Sequence, residues 1–269
     1  MTEAAGLVDR GFGQGASSGD FDNDGFPDLY VGNVGRNQLL HNNGDGTFTD
    51  VTDVAGLTAT DWTTSCVIVD LNADGNPDLY DVNYVTGPQV YERICQGKGC
   101  SPSAFAGAPD HLLLSRGDGS FELIEPAAPE VDGKGLGIVA FDLHERGRPS
   151  LFVANDQVPN FLLRNLATGD RHNVRLEDEA FISGVAFNQD GLAMASMGSL
   201  PTTLTAMDGS ISTSRRSRTK PDCCCCRICP DCSSSVELPQ ACGRQRGRSS
   251  AGERSFSMSI AMVGRTSSK

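Results

Sequence analysis

Two nine-residue segments place oxygen-bearing side chains at alternate positions, a spacing that can surround a metal ion. The first loop, residues 20–28, reads DFDNDGFPD, and the second loop, residues 70–78, reads DLNADGNPD. Aspartate or asparagine occupies positions 1, 3, 5 and 9 of each loop, with glycine at position 6 and proline at position 8. Ca²⁺ is a hard cation that takes about six to eight oxygen ligands. The pattern therefore predicts calcium as the cofactor.

The predicted ligands are the side chains at positions 1, 3, 5 and 9 and the backbone carbonyl at position 7. They are Asp20, Asp22, Asp24, Phe26 and Asp28 in the first loop, and Asp70, Asn72, Asp74, Asn76 and Asp78 in the second. Acidic surface turns are the alternative, because Asp, Asn and Gly favour turns without any ion. Two copies that share the continuation PDLY favour the metal interpretation.

An EF-hand is excluded by the residues immediately after each loop. That motif needs a glutamate at position 12 between two helices, but Val31 and Asp81 stand there in strand-like segments. A third loop, residues 142–150, keeps the glycine and the proline but has His144, Arg146 and Ser150 at positions 3, 5 and 9. Because arginine would put positive charge where the ion sits, we expect this loop to keep its turn and to lack a metal.

The loops belong to longer repeats that define the fold. A second shared unit comes after each copy, at residues 37–51, 110–124 and 160–170, and GDG segments at 44–46 and 117–119 predict hairpin turns. Each repeat therefore has about four short strands, which is one propeller blade. We predict an all-β fold over residues 1–198, a partial β-propeller of about three blades.

The charge of residues 1–198 differs from that of the rest of the chain. Residues 1–198 carry 29 acidic and 11 basic side chains. A strongly acidic body argues against nucleic acid as a partner, and the absence of any long apolar run argues against membrane insertion.

Short Cys95–Cys100 spacing allows either a disulfide or two free thiols, and Cys66 is expected to be a buried strand residue. His41 and His111 fall in strand segments and are expected to have structural or surface roles.

Residues 199–269 differ in character from the rest. This segment is rich in Ser, Arg and Cys and carries no strand pattern, so we predict a low-complexity, disordered tail. A reading-frame shift is one explanation, because regrouped codons around residues 204–214 allow a further Asp-Gly-Asp-Gly loop. A zinc-binding tail is the alternative, since Cys226, Cys229 and Cys232 form a CxxCxxC pattern.

The Asp-loop pattern resembles the FG-GAP and VCBS repeats of integrin α-subunit and bacterial propellers. The strings LFVANDQVPNFLLRN at 151–165 and GVAFNQDGLAMASMG at 184–198 resemble the ASPIC/UnbV family, which includes cartilage acidic protein. The resemblance implies a seven-bladed propeller, an extracellular or periplasmic setting, and adhesion or protein binding. Since about three blades are present and no leader is visible, we expect the chain to be a fragment.

The functional prediction is a calcium-binding scaffold that binds a protein or a glycan and is not an enzyme. Bound calcium would neutralise clustered carboxylates and rigidify the loops. A calcium-dependent hydrolase or lyase built on the same scaffold is the alternative. It would need Lys, Arg or His converging on a calcium cleft, and the acidic body offers few of these residues.

Overall fold

Three four-stranded antiparallel sheets and one two-stranded sheet make up the described part of the chain, and the strands of each four-stranded sheet are arranged in chain order. The computed structural model describes residues 2–7, 11–95, 99–124, 133–143, 147–166 and 174–196. The first sheet contains β1 (Phe12–Gly19), β2 (Asp28–Val34), β3 (Gln38–Asn42) and β4 (Phe48–Asp50). The all-β prediction is confirmed, and the sheets are those of a partial propeller.

The second sheet is interrupted by an insertion. The strands are β5 (Thr63–Val69) and β6 (Asp78–Asn83), then the inserted pair β7 (Val85–Thr86) and β8 (Ala106–Gly107), then β9 (His111–Ser115) and β10 (Phe121–Ile124). The insertion carries a 3₁₀ helix over Pro102–Ala104 and a disulfide between Cys95 and Cys100, the first of the two alternatives for these thiols. Cys66 is buried in β5, as predicted.

The third sheet contains β11 (Gly135–Phe141), β12 (Ser150–Asn155), β13 (Phe161–Asn165) and β14 (Leu176–Asp178). In all three sheets the register of the first two strands shifts near the start of the first strand, between residues 13 and 15, 63 and 65, and 135 and 137. A shift repeated at the same place is a shared bulge, and it marks the sheets as copies of one unit. The GDG segments form the turns between β3 and β4 and between β9 and β10, as predicted.

Close approach of adjacent sheets explains why glycine stands in the first strand of the first and third sheets. A Cβ on Gly15 would lie 2.5 Å from the carbonyl oxygen of Thr64, and one on Gly135 would lie 2.0 Å from Cγ1 of Val82. Both distances are shorter than real contacts allow. The first strands can therefore pack on the neighbouring sheet only because the side chain is missing.

The hydrophobic core lies between the sheets. Tyr30 and Leu39 of the first sheet pack with Leu79 and Leu113 of the second. The opposite face of the second sheet packs against the third through a larger cluster, whose buried members are Leu71, Tyr80, Val82, Leu112, Leu114, Leu151, Val153, Phe161, Leu163 and Leu176. Alternate residues of one strand thus face different neighbours, as the two-residue period of a strand requires.

A polar cluster crosses the interface between the first two sheets. Asp81 of β6 stands where the corresponding strands of the other sheets have Val31 and Val153. Its Oδ2 accepts hydrogen bonds from the hydroxyl of Tyr30, at 3.0 Å, and from Nδ2 of Asn37, at 2.9 Å. Tyr30 lies on β2 and Asn37 immediately precedes β3, so this carboxylate ties the second sheet to the first repeat. No helix among the described residues has the length and apolarity needed to cross a membrane.

Candidate metal centre

The first loop connects β1 to β2, and its own side chains hold it in shape. Asp20 accepts hydrogen bonds from the amides of Asp24 and Gly25, each at 3.0 Å. Asp24 accepts from the amide of Phe26 at 2.8 Å. The turn at Gly25 has a φ of 94°, a conformation that favours glycine. These contacts wind the loop so that alternate side chains point to one side.

The second loop, between β5 and β6, repeats this arrangement. Asp70 accepts from the amides of Asp74 and Gly75 at 3.2 and 2.9 Å, and Asp74 accepts from the amide of Asn76 at 2.8 Å. Asn72 at position 3 is buried, with 1% of its surface exposed. The two loops therefore share one backbone conformation although their sequences differ at four of nine positions.

The aspartate at position 9 has a structural task that the sequence did not indicate. Asp28 is fully buried, and its two oxygens accept hydrogen bonds from the amides of Phe21 at 3.0 Å and Asn42 at 2.8 Å. Asp78 accepts equivalent bonds from Leu71 and Ser115, each at 2.9 Å. This side chain therefore anchors the start of the loop and the third strand of the sheet to the second strand.

The carboxylates of the first loop converge. Asp20, Asp22 and Asp28 each offer an oxygen, and these oxygens lie within 4.8 Å of one another. Asp22 and Asp24 form a second such group with His41. The structure thus brings together all four predicted side-chain ligands of the first loop. In the second loop, no group of three acidic or histidine ligand atoms as tight as this occurs among the described residues.

The predicted carbonyl ligands sit at position 7, where the side chains pack outward. The ring of Phe26 lies against Gly44 of the adjacent hairpin turn, and the side chain of Asn76 lies against Gly117 of the corresponding turn. These contacts fix the backbone at position 7. The proposed role of the two carbonyls stays a prediction.

Lysine and arginine do not neutralise the negative charge of the two loops in the described part of the chain. Among the described residues, no Lys or Arg forms an ion pair with the loop carboxylates. Burial raises the pKa of Asp78 to about 7, and repulsion from Asp70 and Asp74 adds to the shift. The pKa of Asp28 is also raised, mainly by burial, with a smaller contribution from Asp22. The loops therefore favour a bound positive charge.

His41 lies beside the first loop, a position that the sequence analysis did not anticipate. It lies on β3, 13 residues beyond the first loop in sequence, and was assigned only a structural or surface role. Pairing of Leu29 with Leu40 brings β3 beside the loop. The Nδ1 atom of His41 then lies 3.2 Å from Oδ2 of Asp22 and 3.4 Å from Oδ1 of Asp28.

A direct contact joins the first and second loops. Nδ2 of Asn23 donates a hydrogen bond to the carbonyl oxygen of Gly75 at 2.9 Å. Asn23 has a φ of 61°, and Ala73 at the same position of the second loop has a φ of 60°. Asparagine tolerates this conformation better than most residues, which explains its presence at position 4 of the first loop.

The third loop is described only in part. His144 and Arg146 lie outside the described residues, so the expected loss of a metal is untested. The amide of Gly147 donates to Oδ2 of Asp142 at 2.5 Å, which repeats the contact of position 6 with position 1. Ser150 at position 9 accepts from the amide of Asn165 at 3.4 Å, a longer contact than the aspartates make. The tail beyond residue 196 also lies outside the described residues.

Part of the chain matches a known family of repeats. Residues 20–80 match the sequence model of the FG-GAP-like repeat. The match begins at the first residue of the first loop and ends just after the second loop, so it includes all ten predicted ligands. No curated protein matches the chain.

Proposed function

We propose that this chain is a calcium-binding β-propeller scaffold in which Ca²⁺ stabilises the first and second loops. The supporting observation is that two loops of different sequence share one set of internal hydrogen bonds, and that in the first loop oxygens of Asp20, Asp22 and the buried Asp28 lie within 4.8 Å of one another. Asp20, Asp22, Asp24 and Asp28 would hold the ion in the first loop, with the carbonyl of Phe26. Asp70, Asn72, Asp74 and Asp78, with the carbonyl of Asn76, would hold it in the second.

The donor set fits Ca²⁺. Carboxylate, amide and carbonyl oxygens are the ligands this cation prefers, and the loops offer them without competing lysine or arginine in the described part of the chain. The bound ion would supply positive charge that offsets repulsion among the carboxylates. Asp28 and Asp78 already use each oxygen for one backbone amide, and a carboxylate oxygen retains a second lone pair for a cation.

The scaffold would bind a protein or glycan partner in an extracellular or periplasmic setting, and we propose no catalytic role for it. FG-GAP-like repeats suggest an extracellular scaffold, and the segments at 151–165 and 184–198 favour the ASPIC/UnbV family. A panel of hydrolase and lyase substrates, assayed with and without calcium, tests the non-catalytic part. Calcium-dependent turnover that Asp24→Ala abolishes would contradict it.

A thermal melt of the full chain in 1 mM Ca²⁺ and in excess EGTA tests the calcium proposal. Extracellular sites have dissociation constants of about 0.1–1 mM. At the tight end, two such sites stabilise the fold by about 3 kcal/mol in 1 mM Ca²⁺, which raises the midpoint by several degrees.

Asp24→Ala and Asp74→Ala should each remove part of the rise. Asp53→Asn is the matched control, because this exposed carboxylate pairs with Arg36 away from the loops and should leave the rise intact. Identical melts in the two buffers would contradict the proposal.

A further inference from the structure

The imidazole of His41 is aimed into the first loop. Its Nδ1 atom is buried and has no hydrogen-bond partner among the described residues, although carboxylate oxygens of Asp22 and Asp28 lie 3.2 and 3.4 Å away. Its Nε2 atom lies 3.9 Å from Oδ2 of Asp24. The histidine therefore contacts three of the four carboxylates.

Packing holds the ring in this place. Phe21 meets His41 edge to face, with ring centroids 6.2 Å apart and planes at 85°. The amide of Phe21 is in turn bound by Asp28. The imidazole is thus oriented by Phe21, a residue of the first loop, and the His41 side chain is three-quarters buried.

The position is specific to the first sheet. Alignment of the third strands places Leu114 of the second sheet and Arg164 of the third sheet where the first has His41. Leu114 is buried in the core, and Arg164 forms an ion pair with Glu179. Neither can donate a nitrogen lone pair. At this strand position, a nitrogen ligand is therefore available only in the first of the three sheets.

An imidazole nitrogen changes which cations a carboxylate site prefers. Ca²⁺ takes oxygen ligands almost exclusively, whereas first-row divalent metals accept imidazole together with carboxylate. A nitrogen that lies beside carboxylate oxygens without a hydrogen bond leaves room for a shared cation. His41 with Asp22 and Asp24 places three ligand atoms within 4.8 Å of one another.

We infer that His41 is a ligand of the cation in the first loop and that it gives this loop, but not the second, an affinity for first-row divalent metals. The inference rests on the proposed cation-binding function and adds the class of ion to it. Both loops would bind Ca²⁺ through oxygen. Only the first would bind Mn²⁺ with a nitrogen in the coordination sphere.

Mn²⁺ binding to the metal-free full chain, followed by electron paramagnetic resonance, tests this. Mn²⁺ is chosen because the cysteine thiols of residues 223–232 compete for it less than for Zn²⁺ or Co²⁺. Pulsed spectra of the bound ion detect coupling to an imidazole nitrogen. We expect this coupling in the natural chain and in Asp74→Ala, which alters only the second loop, and we expect Asp24→Ala to lose it.

His41→Gln is the direct variant. We expect it to lose the nitrogen coupling and to raise the Mn²⁺ dissociation constant at least about tenfold, since even the partners of metal ligands change affinity by that factor. Its Ca²⁺ dissociation constant should change less than its Mn²⁺ dissociation constant, because the oxygen ligands of the loop remain. The coupling in the natural chain is a measurement of its own, so the inference remains testable if the variant folds poorly.

Three results would overturn the inference. Bound Mn²⁺ without nitrogen coupling, or with coupling that persists in His41→Gln, would remove His41 from the site while leaving the calcium proposal intact. Tighter Ca²⁺ and Mn²⁺ binding in His41→Gln would mean that the imidazole acts as a positive charge that competes with the ion. Failure of both ions to bind the natural chain would overturn the proposed function as well.

Discussion

Replacing Asp81 with asparagine should remove a loss of stability that the natural chain shows as the pH rises to 8. The carboxylate is fully buried between the first and second sheets, and its Oδ1 atom has no partner within the described part of the chain. Burial raises the pKa of Asp81 to about 7, although hydrogen bonds from Tyr30 and Asn37 lower it, and the charge of Asp61 adds to the rise.

The direction of the pH effect depends on whether the folded or the unfolded chain binds the Asp81 proton more tightly. The unfolded chain loses the Asp81 proton near pH 4, whereas the folded chain keeps it until about pH 7. Unfolding therefore releases a proton in this window, and the free energy of unfolding falls as pH rises through it. Each unit of pH costs about 1.4 kcal/mol, so the fold should be about 2–3 kcal/mol less stable at pH 8 than at pH 5 from this group alone.

Asp81→Asn keeps the shape of the side chain and removes its charge. The amide oxygen can accept both hydrogen bonds, and the new side chain has no proton to lose. The advantage of the variant over the natural chain should therefore be about 2–3 kcal/mol larger at pH 8 than at pH 5. Urea unfolding of both proteins in EGTA at the two pH values measures the difference. Asp78 titrates in both proteins, so its contribution cancels.

Asp53→Asn serves as the control for the loss of one carboxylate, because 87% of the side chain of Asp53 is exposed, and it should not reproduce the gain in stability of Asp81→Asn at pH 8. If Asp81→Asn were less stable than the natural chain at pH 8, the ionised carboxylate would be the favoured form. The two hydrogen bonds would then outweigh the cost of burial, and the reasoning would be refuted.

Two further pairs of substitutions separate anchoring from binding and test the close approach of the sheets. Asp78→Asn should cost about 1–3 kcal/mol even in EGTA, because the new amide group faces a backbone N–H it cannot bind, whereas Asp74→Ala should lower stability more in calcium than in EGTA, since it removes one loop hydrogen bond and also a proposed ligand. Urea unfolding with and without calcium distinguishes these cases, and equal behaviour of both variants would contradict the anchoring role. Gly135→Ala should cost about 1–3 kcal/mol in the same assay, because its Cβ would overlap Val82, whereas Gly13→Ala, with its nearest neighbour at 3.6 Å, should cost less than half as much. Similar losses in both glycine variants would show that packing space is not the cause.

Local sequence was sufficient to predict the loops and the sheets. Each feature of a loop depends on residues a few positions apart. The chain also contains two copies of the pattern for comparison, which begins with Asp in the first loop and with Asn in the second and continues as xDGxPDLY. The hairpin turns at 44–46 and 117–119 could be predicted from the same local rules. The fold class could therefore be predicted before any long-range contact was known.

Contacts between strands could not be predicted in the same way. His41 reaches the first loop only because of the register of β2 and β3, and nothing local marks it as a ligand. The anchoring role of Asp28 was missed because a position-9 aspartate already had an explanation as a ligand. Asp81 carried a usable signal, since DLYD breaks the apolar ending of DLYV, but its partner Tyr30 belongs to another repeat.

Packing of the core between the sheets has a consequence for how the fold comes apart. The second sheet packs against the first sheet through Leu79 and against the third sheet through Tyr80. When either outer sheet opens, the second sheet therefore keeps one of its faces covered. In an array of this kind, stability is close to a sum of contributions from adjacent units. Native-state hydrogen exchange should then show a gradient, with the slowest amides in β5 and β6 and a stepwise loss of protection toward β4 and β14.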